Sequence, residues 1–278
     1  MQAPTRHPQS RSGHAPIALV TGASSGIGAA LARAYAGRGW RLVLVGRRAD
    51  ALQDTALACA RAQGRREAEP DRIRVLAADL QQTAAWCEHA GALLHAWGCP
   101  QVVVANAGIS QGVDLSHQED LAHAREVMDI NWLGALATLS PFIAPMRARG
   151  SGALVGIASV AGVRGLPGHA AYSASKAALI SSLESLRVEL RGSGVKVLTL
   201  SPGYIATPMT AGNPFPMPFI IEPDDFARRA LRAIDAGRAY ATIPWPMAAA
   251  SKLLHVLPRA WYDPILAGQG RKPRKSRT

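Results

Sequence analysis

The stretch VTGASSGIGAA, Val20 to Ala30, puts Gly22, Gly26 and Gly28 between the apolar run Ile17–Val20 and an alanine-rich segment of helical character. Small residues at such a junction let the backbone approach a pyrophosphate at a helix N-terminus, and Ser24 and Ser25 add hydroxyl donors. A tight connection with no ligand has the same composition, so the decision lies further along the chain. Five more β-like runs alternate with helical segments: Arg41–Val45, Ile73–Ala77, Gln101–Ala105, Ala153–Ala158 and Val195–Leu200. This alternation predicts an α/β fold, a doubly wound parallel sheet in one domain. The runs LVLV (42–45) and VVVA (102–105) are almost continuously apolar, as strands covered on both faces should be. A helix near Asp224 is framed by Pro223 at its start, two acids in its first turn and Gly237 beyond its end.

In such a sheet, ligands sit beyond the carboxyl ends of the strands. The six strand ends carry TGASSGIG, GRR, ADL, NAG, a lone serine and SPG. Turn chemistry explains any one of them; six on one rim point to a binding site. After the second strand, Gly46, Arg47 and Arg48 stand where a carboxylate would accept from a ribose 2′-hydroxyl. A guanidinium can instead grip a 2′-phosphate bidentately, which favours NADP over NAD. Arginines that merely solvate the loop are the alternative. Asp79 could accept from an adenine amino group or cap the next helix. Asn106 and Gly108 could admit a nicotinamide ribose or simply form a turn.

The segment YSASK, Tyr172 to Lys176, opens a helix whose apolar stripe continues through Leu179, Leu183, Leu186 and Leu190. Steps of four and seven return to the same helix face, so the phenol and the ammonium point where the leucines point. An unpaired ammonium is costly to bury. Ribose hydroxyls of a cofactor are the expected receiver. A tyrosine of ordinary pKa, near 10, is about one part in a thousand ionised at pH 7. Lowering that pKa by about three units corresponds to roughly 4 kcal/mol, within reach of a close, partly buried cation plus the positive nicotinamide of an oxidised cofactor. Lys176 is one helical turn away, and Ser159 stands 13 residues before Tyr172.

In the order and spacing of TGASSGIG, NAG, Asn131, Ser159, YSASK and SPG, the chain from Ala15 to Gly203 resembles the short-chain dehydrogenase/reductase family. The resemblance implies a Rossmann-type domain in which Tyr172 is the acid/base and Lys176 lowers its pKa. Ser159 would hold the substrate oxygen, and Asn131 would support a water-linked proton relay. It also implies a cofactor site built from Gly22, Ser24, Ser25, Gly26, Ile27 and Gly28. Arg47 and Arg48, Asp79 and Leu80, Asn106, Ala107 and Gly108, and Pro202 and Gly203 would complete it with Tyr172 and Lys176. Two positions depart from the family pattern: Ala105 replaces the first asparagine of a pair, and Ser25 stands where some NADP-dependent relatives place a basic residue. The implied activity is hydride exchange between NADP(H) and a carbonyl or secondary alcohol. A cofactor-sensing protein that kept the fold without turnover is the other class.

The chain has 278 residues and a net charge of +12. Seven of those charges, Arg6, Arg11, Arg271, Lys272, Arg274, Lys275 and Arg277, lie in acid-free tails, leaving +5 for the body. Solvated tails are expected rather than a nucleic-acid surface. Three cysteines form no even disulfide set, and neither a signal peptide nor an apolar run of about 18 residues stands out, so a cytoplasmic setting is expected. Cys87, His89, His95 and Cys99 resemble metal ligands, but one helix cannot converge all four, and no metal is expected. The proline-rich segment Tyr204–Ile221, with Met209, Phe215, Met217 and Phe219, should wall an apolar substrate site or pack an interface.

The expected organisation is a disordered tail (1–15), the Rossmann-type domain (16–243), an amphipathic extension (244–269) and a basic tail (270–278). In the extension, Met247, Ala250, Leu254 and Leu257 share one side, with Trp245, Trp261, Tyr262, Ile265 and Leu266 adding apolar surface. It should pack on the body or on a second copy in a homo-oligomer. Weak peripheral contact with a membrane, at its inner face, is the other reading.

Overall fold

The computed structural model describes residues 15–268 and 270–274. Arg6, Arg11, Lys275 and Arg277 lie outside the described residues. Seven strands form one parallel sheet: β1 (Ile17–Thr21), β2 (Arg41–Gly46), β3 (Ile73–Ala77), β4 (Val102–Ala105), β5 (Gly152–Ile157), β6 (Val195–Pro202) and β7 (Tyr240–Ile243). Their spatial order is β3-β2-β1-β4-β5-β6-β7. β1 therefore pairs with β2 on one side and β4 on the other. The winding direction reverses there, which opens a crevice at the carboxyl ends of the strands.

Side chains alternate across the sheet and feed two cores. Ala18, Val20, Leu42 and Leu44 join the layer of α1 (Gly26–Ala36), α2 (Ala49–Ala62) and α7 (Pro223–Asp235), where Leu31, Leu52 and Phe226 are buried. Leu19, Val43 and Val103 join the opposite layer with Trp86 and Leu93 of α3 (Thr83–Trp97), Leu139 and Phe142 of α5 (Gly134–Arg149), and Leu179 and Leu183 of α6 (Ala170–Glu189). α5 is preceded by α4 (Asp120–Met128) and a π-helical turn, Asp129–Leu133. That continuous run, Asp120–Arg149, is long and apolar enough to cross a membrane by length and composition, which corrects the expectation of no such run. Asn131, Thr138 and two prolines interrupt its apolar appearance in the sequence. In the fold its Leu139, Phe142 and Met146 are fully buried against the sheet.

β7 was not anticipated. It is an edge strand of four residues, YATI, with only Ile243 buried, too short and mixed to show an apolar run. α7 begins at Pro223, carries Asp224 and Asp225 in its first turn, and is followed by Gly237 at φ 62°, as its framing residues indicate.

After β7, α8 (Trp245–Val256) and α9 (Arg259–Ala267) fold back on the body. Met247 and Tyr262 point inward, and Arg164 stacks over the Tyr262 ring at 4.1 Å while donating to the carbonyls of Leu254 and Leu257. Trp245, Leu253, Val256, Trp261 and Ile265 remain exposed. The next segment, Gly270–Arg274, departs from the solvated tail expected. Arg274 pairs with Asp120 at 2.8 Å and Glu119 at 3.0 Å, Arg271 pairs with Asp114 at 3.1 Å, and a β-bridge joins Arg274 to Gly112. Those carboxylates lie more than 150 positions upstream, so no local pattern signals the pairing.

Two glycines set how closely α6 approaches the sheet. A Cβ on Gly156 would lie 2.4 Å from a Leu183 methyl, and one on Gly162 would lie 2.9 Å from the Lys176 backbone. Gly156→Val should therefore force α6 outward, costing about 1–3 kcal/mol as overpacking does. Urea denaturation checks this, with Gly165→Val, where nothing lies within 4 Å of an added Cβ, as the control.

Candidate active site

A cavity of about 370 Å³ lies at the carboxyl ends of the strands, at the β1/β4 reversal. Its wall begins with the turn after β1. Gly22 and Gly26 have φ of 64° and 53°, conformations that favour glycine. A Cβ on Gly28 would lie 2.2 Å from the Gly22 carbonyl oxygen, so only a bare Cα lets α1 start this close to the turn. Gly28 itself sits behind the wall, while Gly22, Ser24, Ser25, Gly26 and Ile27 line it. Ser25 makes no side-chain cap at the start of α1, so the helix presents its positive N-terminal end at the wall.

β4 ends against this turn. The Asn106 side-chain amide donates to the carbonyl of Thr21 at 2.9 Å, and the Thr21 hydroxyl accepts from the backbone N–H groups of Asn106 and Ala107 at 3.0 and 3.2 Å. Asn106 is thus a clamp between the two central strands. Thr21, its partner, escapes sequence reasoning because it reads as the last residue of a buried strand. Asn106, Ala107 and Gly108 all line the cavity.

After β2, Arg47 and Arg48 are exposed at the cavity rim, and Arg48 donates to the hydroxyls of Ser24 and Ser25 at 3.1 and 3.4 Å. After β3, Asp79 and Leu80 line the same wall. Asp79 is not a helix cap: its carboxylate accepts from the Gln81 N–H at 3.1 Å, and α3 begins after Gln82. Pro202 and Gly203, after β6, complete the set together with Ile205, Thr207, Pro208, Met209 and Thr210, of which only Met209 stood out in the sequence.

Ser159, Tyr172 and Lys176 share the far end of the cavity. Lys176 is 5% exposed and donates to the Ile157 carbonyl at 2.8 Å, so the end of β5 itself receives the ammonium that was expected to need a cofactor. Burial pushes its pKa down to about 8. Its nitrogen lies 5.9 Å from the centre of the Tyr172 ring. In the chain alone, burial raises the Tyr172 pKa, partly offset by the Ser159 hydroxyl. Low-dielectric surroundings disfavour phenolate and ammonium alike.

Asn131 does not line the cavity. Its fully buried side chain accepts from Ile109 N–H at 2.8 Å and donates to the Ile109 carbonyl and the Ser175 hydroxyl at 2.9 and 3.0 Å. It ties the segment after β4 to α6.

The family model for short chain dehydrogenases matches residues 16–214, the span that contains every element of this rim up to the loop beyond β6. The chain belongs to that family. As a short-chain dehydrogenase it is an oxidoreductase whose fold serves a nicotinamide cofactor and a small-molecule substrate. It is 42% identical to an uncharacterized oxidoreductase of Myxococcus xanthus, over 88% of this chain and 94% of that protein. A cis-4-hydroxycyclohexanecarboxylate dehydrogenase of Sinomonas cyclohexanicum is 37% identical over 71% of this chain and 76% of its own. Among solved structures, a short-chain dehydrogenase from Sphingobium yanoikuyae in complex with NADPH superposes with a TM-score of 0.73 at 27% identity, covering 88% of this chain and 97% of that one. A Cβ on Gly22 or Gly28 would fill the space where the turn closes on Asn106, so bare Cα atoms let the turn, the start of α1 and the end of β4 meet at the cavity wall.

On the substrate side of this short-chain dehydrogenase, an aromatic series leads away from Tyr172. The His169 ring lies 6.1 Å from Tyr172 and 5.9 Å from Phe215, which is 6.5 Å from Tyr204. Of the proline-rich loop, Phe215 packs on His169 and Met209 lines the cavity while remaining exposed, as Phe219 and Ile220 are. His169 has its pKa lowered by burial, with Lys272 as a nearby positive charge.

The Lys176 ammonium has a measurable cost. A fall from 10.5 to about 8 corresponds to about 3 kcal/mol of preference for the neutral form. Between those pH values the unfolded chain holds a proton that the folded chain releases, so this group makes stability rise with pH across the window. Lys176→Met, losing one hydrogen bond worth about 1 kcal/mol, should be about 1–2 kcal/mol more stable than wild type at pH 7. Denaturant titrations of the cofactor-free protein at pH 7 and pH 10 should show that advantage shrinking at the higher pH.

Proposed function

We propose that this chain is an NADP(H)-dependent oxidoreductase acting on a carbonyl or secondary alcohol, with Tyr172 as the proton-transferring group. The observation that carries the reading is one cavity wall holding Ser159, Tyr172 and Lys176 at one end and the glycine turn with Arg47 and Arg48 at the other. The nicotinamide, when bound, supplies or accepts the hydride.

The side chains divide the remaining work. Ser159 and Tyr172 line the same cavity and their hydroxyls act on one another, so a substrate oxygen placed beside them meets two hydroxyls. Tyr172 exchanges the proton with that oxygen, with Lys176 and the positive nicotinamide of an oxidised cofactor opposing the effect of burial on the phenol. Lys176 has three donors, of which Ile157 takes one, leaving capacity for ribose hydroxyls. Asn131 positions Ile109 and, through Ser175, the first turns of α6. Gly22, Ser24, Ser25, Gly26 and Ile27 receive the pyrophosphate, Asp79 and Leu80 flank the adenine, and Ala107, Gly108, Pro202 and Gly203 bound the nicotinamide end.

NADP is preferred to NAD on the ground that β2 ends in Gly46 with no carboxylate, while Arg48 is held beside Ser24 and Ser25. Met209 and Phe215 favour a substrate with an apolar body; the ring alcohol named for the Sinomonas relative is of that kind. The exposed face of α8 and α9 supports a homo-oligomer over peripheral membrane contact, because Arg271 and Arg274 are already neutralised by the chain's own carboxylates. A cytoplasmic oxidoreductase is the consistent setting.

Tyr172→Phe should abolish turnover of a carbonyl panel, followed by NADPH absorbance, while NADPH affinity stays within a few-fold. Equal loss of binding and turnover would assign Tyr172 to the fold, and a wild type that binds cofactor but turns over nothing would favour a sensor. The paired substitution Arg47→Ala and Arg48→Ala should weaken NADPH by about 10- to 100-fold, from charge-assisted contacts of roughly 1.5–3 kcal/mol, and leave NADH little changed. Fluorescence titration with both nucleotides reads the difference.

A further inference from the structure

The segment Gly270–Arg274 is seated against Gly112 and Gly168, next to the residues that lead into α6, and the body is shaped to take it. A Cβ on Gly112 would lie 2.1 Å from the Pro273 carbonyl oxygen, and one on Gly168 would lie 2.8 Å from the Lys272 nitrogen. Arg271 and Arg274, on either side, are satisfied by carboxylates. Lys272 is treated differently. Its half-buried ammonium donates to two neutral oxygens, Ser110 Oγ at 3.0 Å and Asn213 Oδ1 at 3.3 Å, and no carboxylate pairs with it among the described residues. Burying a cation is costly unless an anion compensates it. The anchors on both sides hold the cation there despite that cost.

Its neighbours place it relative to the reaction. Ser110 follows Ile109, a wall of the cavity, and Asn213 lies in the loop that begins with the wall residues Thr207–Thr210. Gly168, against the Lys272 backbone, precedes His169, whose ring is 6.1 Å from that of Tyr172. Lys272 is a nearby positive charge to His169, and the His169 ring contacts both Tyr172 and Phe215, so one side chain links the ammonium to the group that would exchange the proton.

We propose that Lys272 is a specificity-determining residue that binds a carboxylate on the substrate, at the end away from the reacting carbon. This rests on the oxidoreductase reading above and adds a charge to the apolar substrate inferred there. Ser110 and Asn213 orient the ammonium, and the pairing of Arg274 with Asp120 delivers it. Lysine suits this role because three rotatable donors can hold two neutral oxygens and still meet a carboxylate.

The test uses the full chain and matched pairs, 4-acetylbenzoate with 4-acetylbenzamide and 5-oxohexanoate with 5-oxohexanamide. In the wild type the acids should have the higher kcat/KM, and the acid-to-amide ratio should fall about 10- to 100-fold in Lys272→Met, as expected for a charged hydrogen-bonded pair. The fall should lie mainly in KM. Lys272→Arg should keep most of the preference, and Arg274→Gln should lose it with Lys272 intact. Calorimetry of benzoate against benzamide in the presence of NADP+ supplies a readout independent of turnover, with benzoate binding weakened in Lys272→Met. A wild type without acid preference in both assays, or an unchanged ratio in Lys272→Met, overturns the proposal and leaves Tyr172-dependent turnover standing. Lys272-dependent benzoate binding in a protein that reduces no ketone would sustain the anion site and refute the oxidoreductase reading instead.

Discussion

The site depends on the contact between α6 and the end of β5. Lys176 reaches the Ile157 carbonyl only because Gly156 and Gly162 let the helix lie against the sheet. A single hydrogen bond then fixes the depth of α6, and with it the position of Tyr172 one turn earlier. The buried ammonium lowers stability and is kept in place by the packing of Leu179 and Leu183 on the same helix face. The stabilising core and the destabilising charge share one stripe, so neither can shift without the other.

A second junction holds the opposite wall. The Thr21–Asn106 bonds join β1 to β4 where the winding reverses, and the Gly22–Gly28 turn closes over them. The Asn131 side chain links the segment after β4 to Ser175 in α6. Through these few polar contacts the turn that fits a dinucleotide and the helix that carries Tyr172 share one rigid frame. Almost all are made by side chains to backbone, which carries no net charge and so leaves the cavity's electrostatics to Lys176 and the rim arginines.

Most of this frame was legible because the physics is local. A strand covered on both faces must be apolar, and the central strands β1, β2, β4 and β5 carry such runs. A turn that brings backbone close to a helix start must be small, and YSASK at the head of an apolar stripe sets two polar groups at a fixed angular relation to it. What escaped depends on long-range contact. β7 is an edge strand with one buried residue, so nothing in its composition distinguishes it from a loop. Thr21 acts through a hydroxyl that strand patterns treat as a neutral filler. Asn131 stands in a recognisable segment, yet its side chain points to Ile109 and Ser175 rather than to the cavity. The desolvation of Tyr172 and Lys176 also lies outside what a helical spacing shows, because it depends on what packs around both groups.

The pairing of Arg274 with Asp120 carries a consequence for how the protein is made. The two residues are 154 positions apart. At about 5–20 residues per second, roughly 8–30 s of synthesis separate them. For that interval Asp120, only 1% exposed in the finished fold and held by Arg274 down to a pKa of about 2, has no guanidinium to meet. Only the Asp114 backbone N–H is then available to it from the hydrogen bonds of the finished structure. The rim around α4 therefore has to emerge from the ribosome with its carboxylate still hydrated, and it closes only when the late-made arginine arrives.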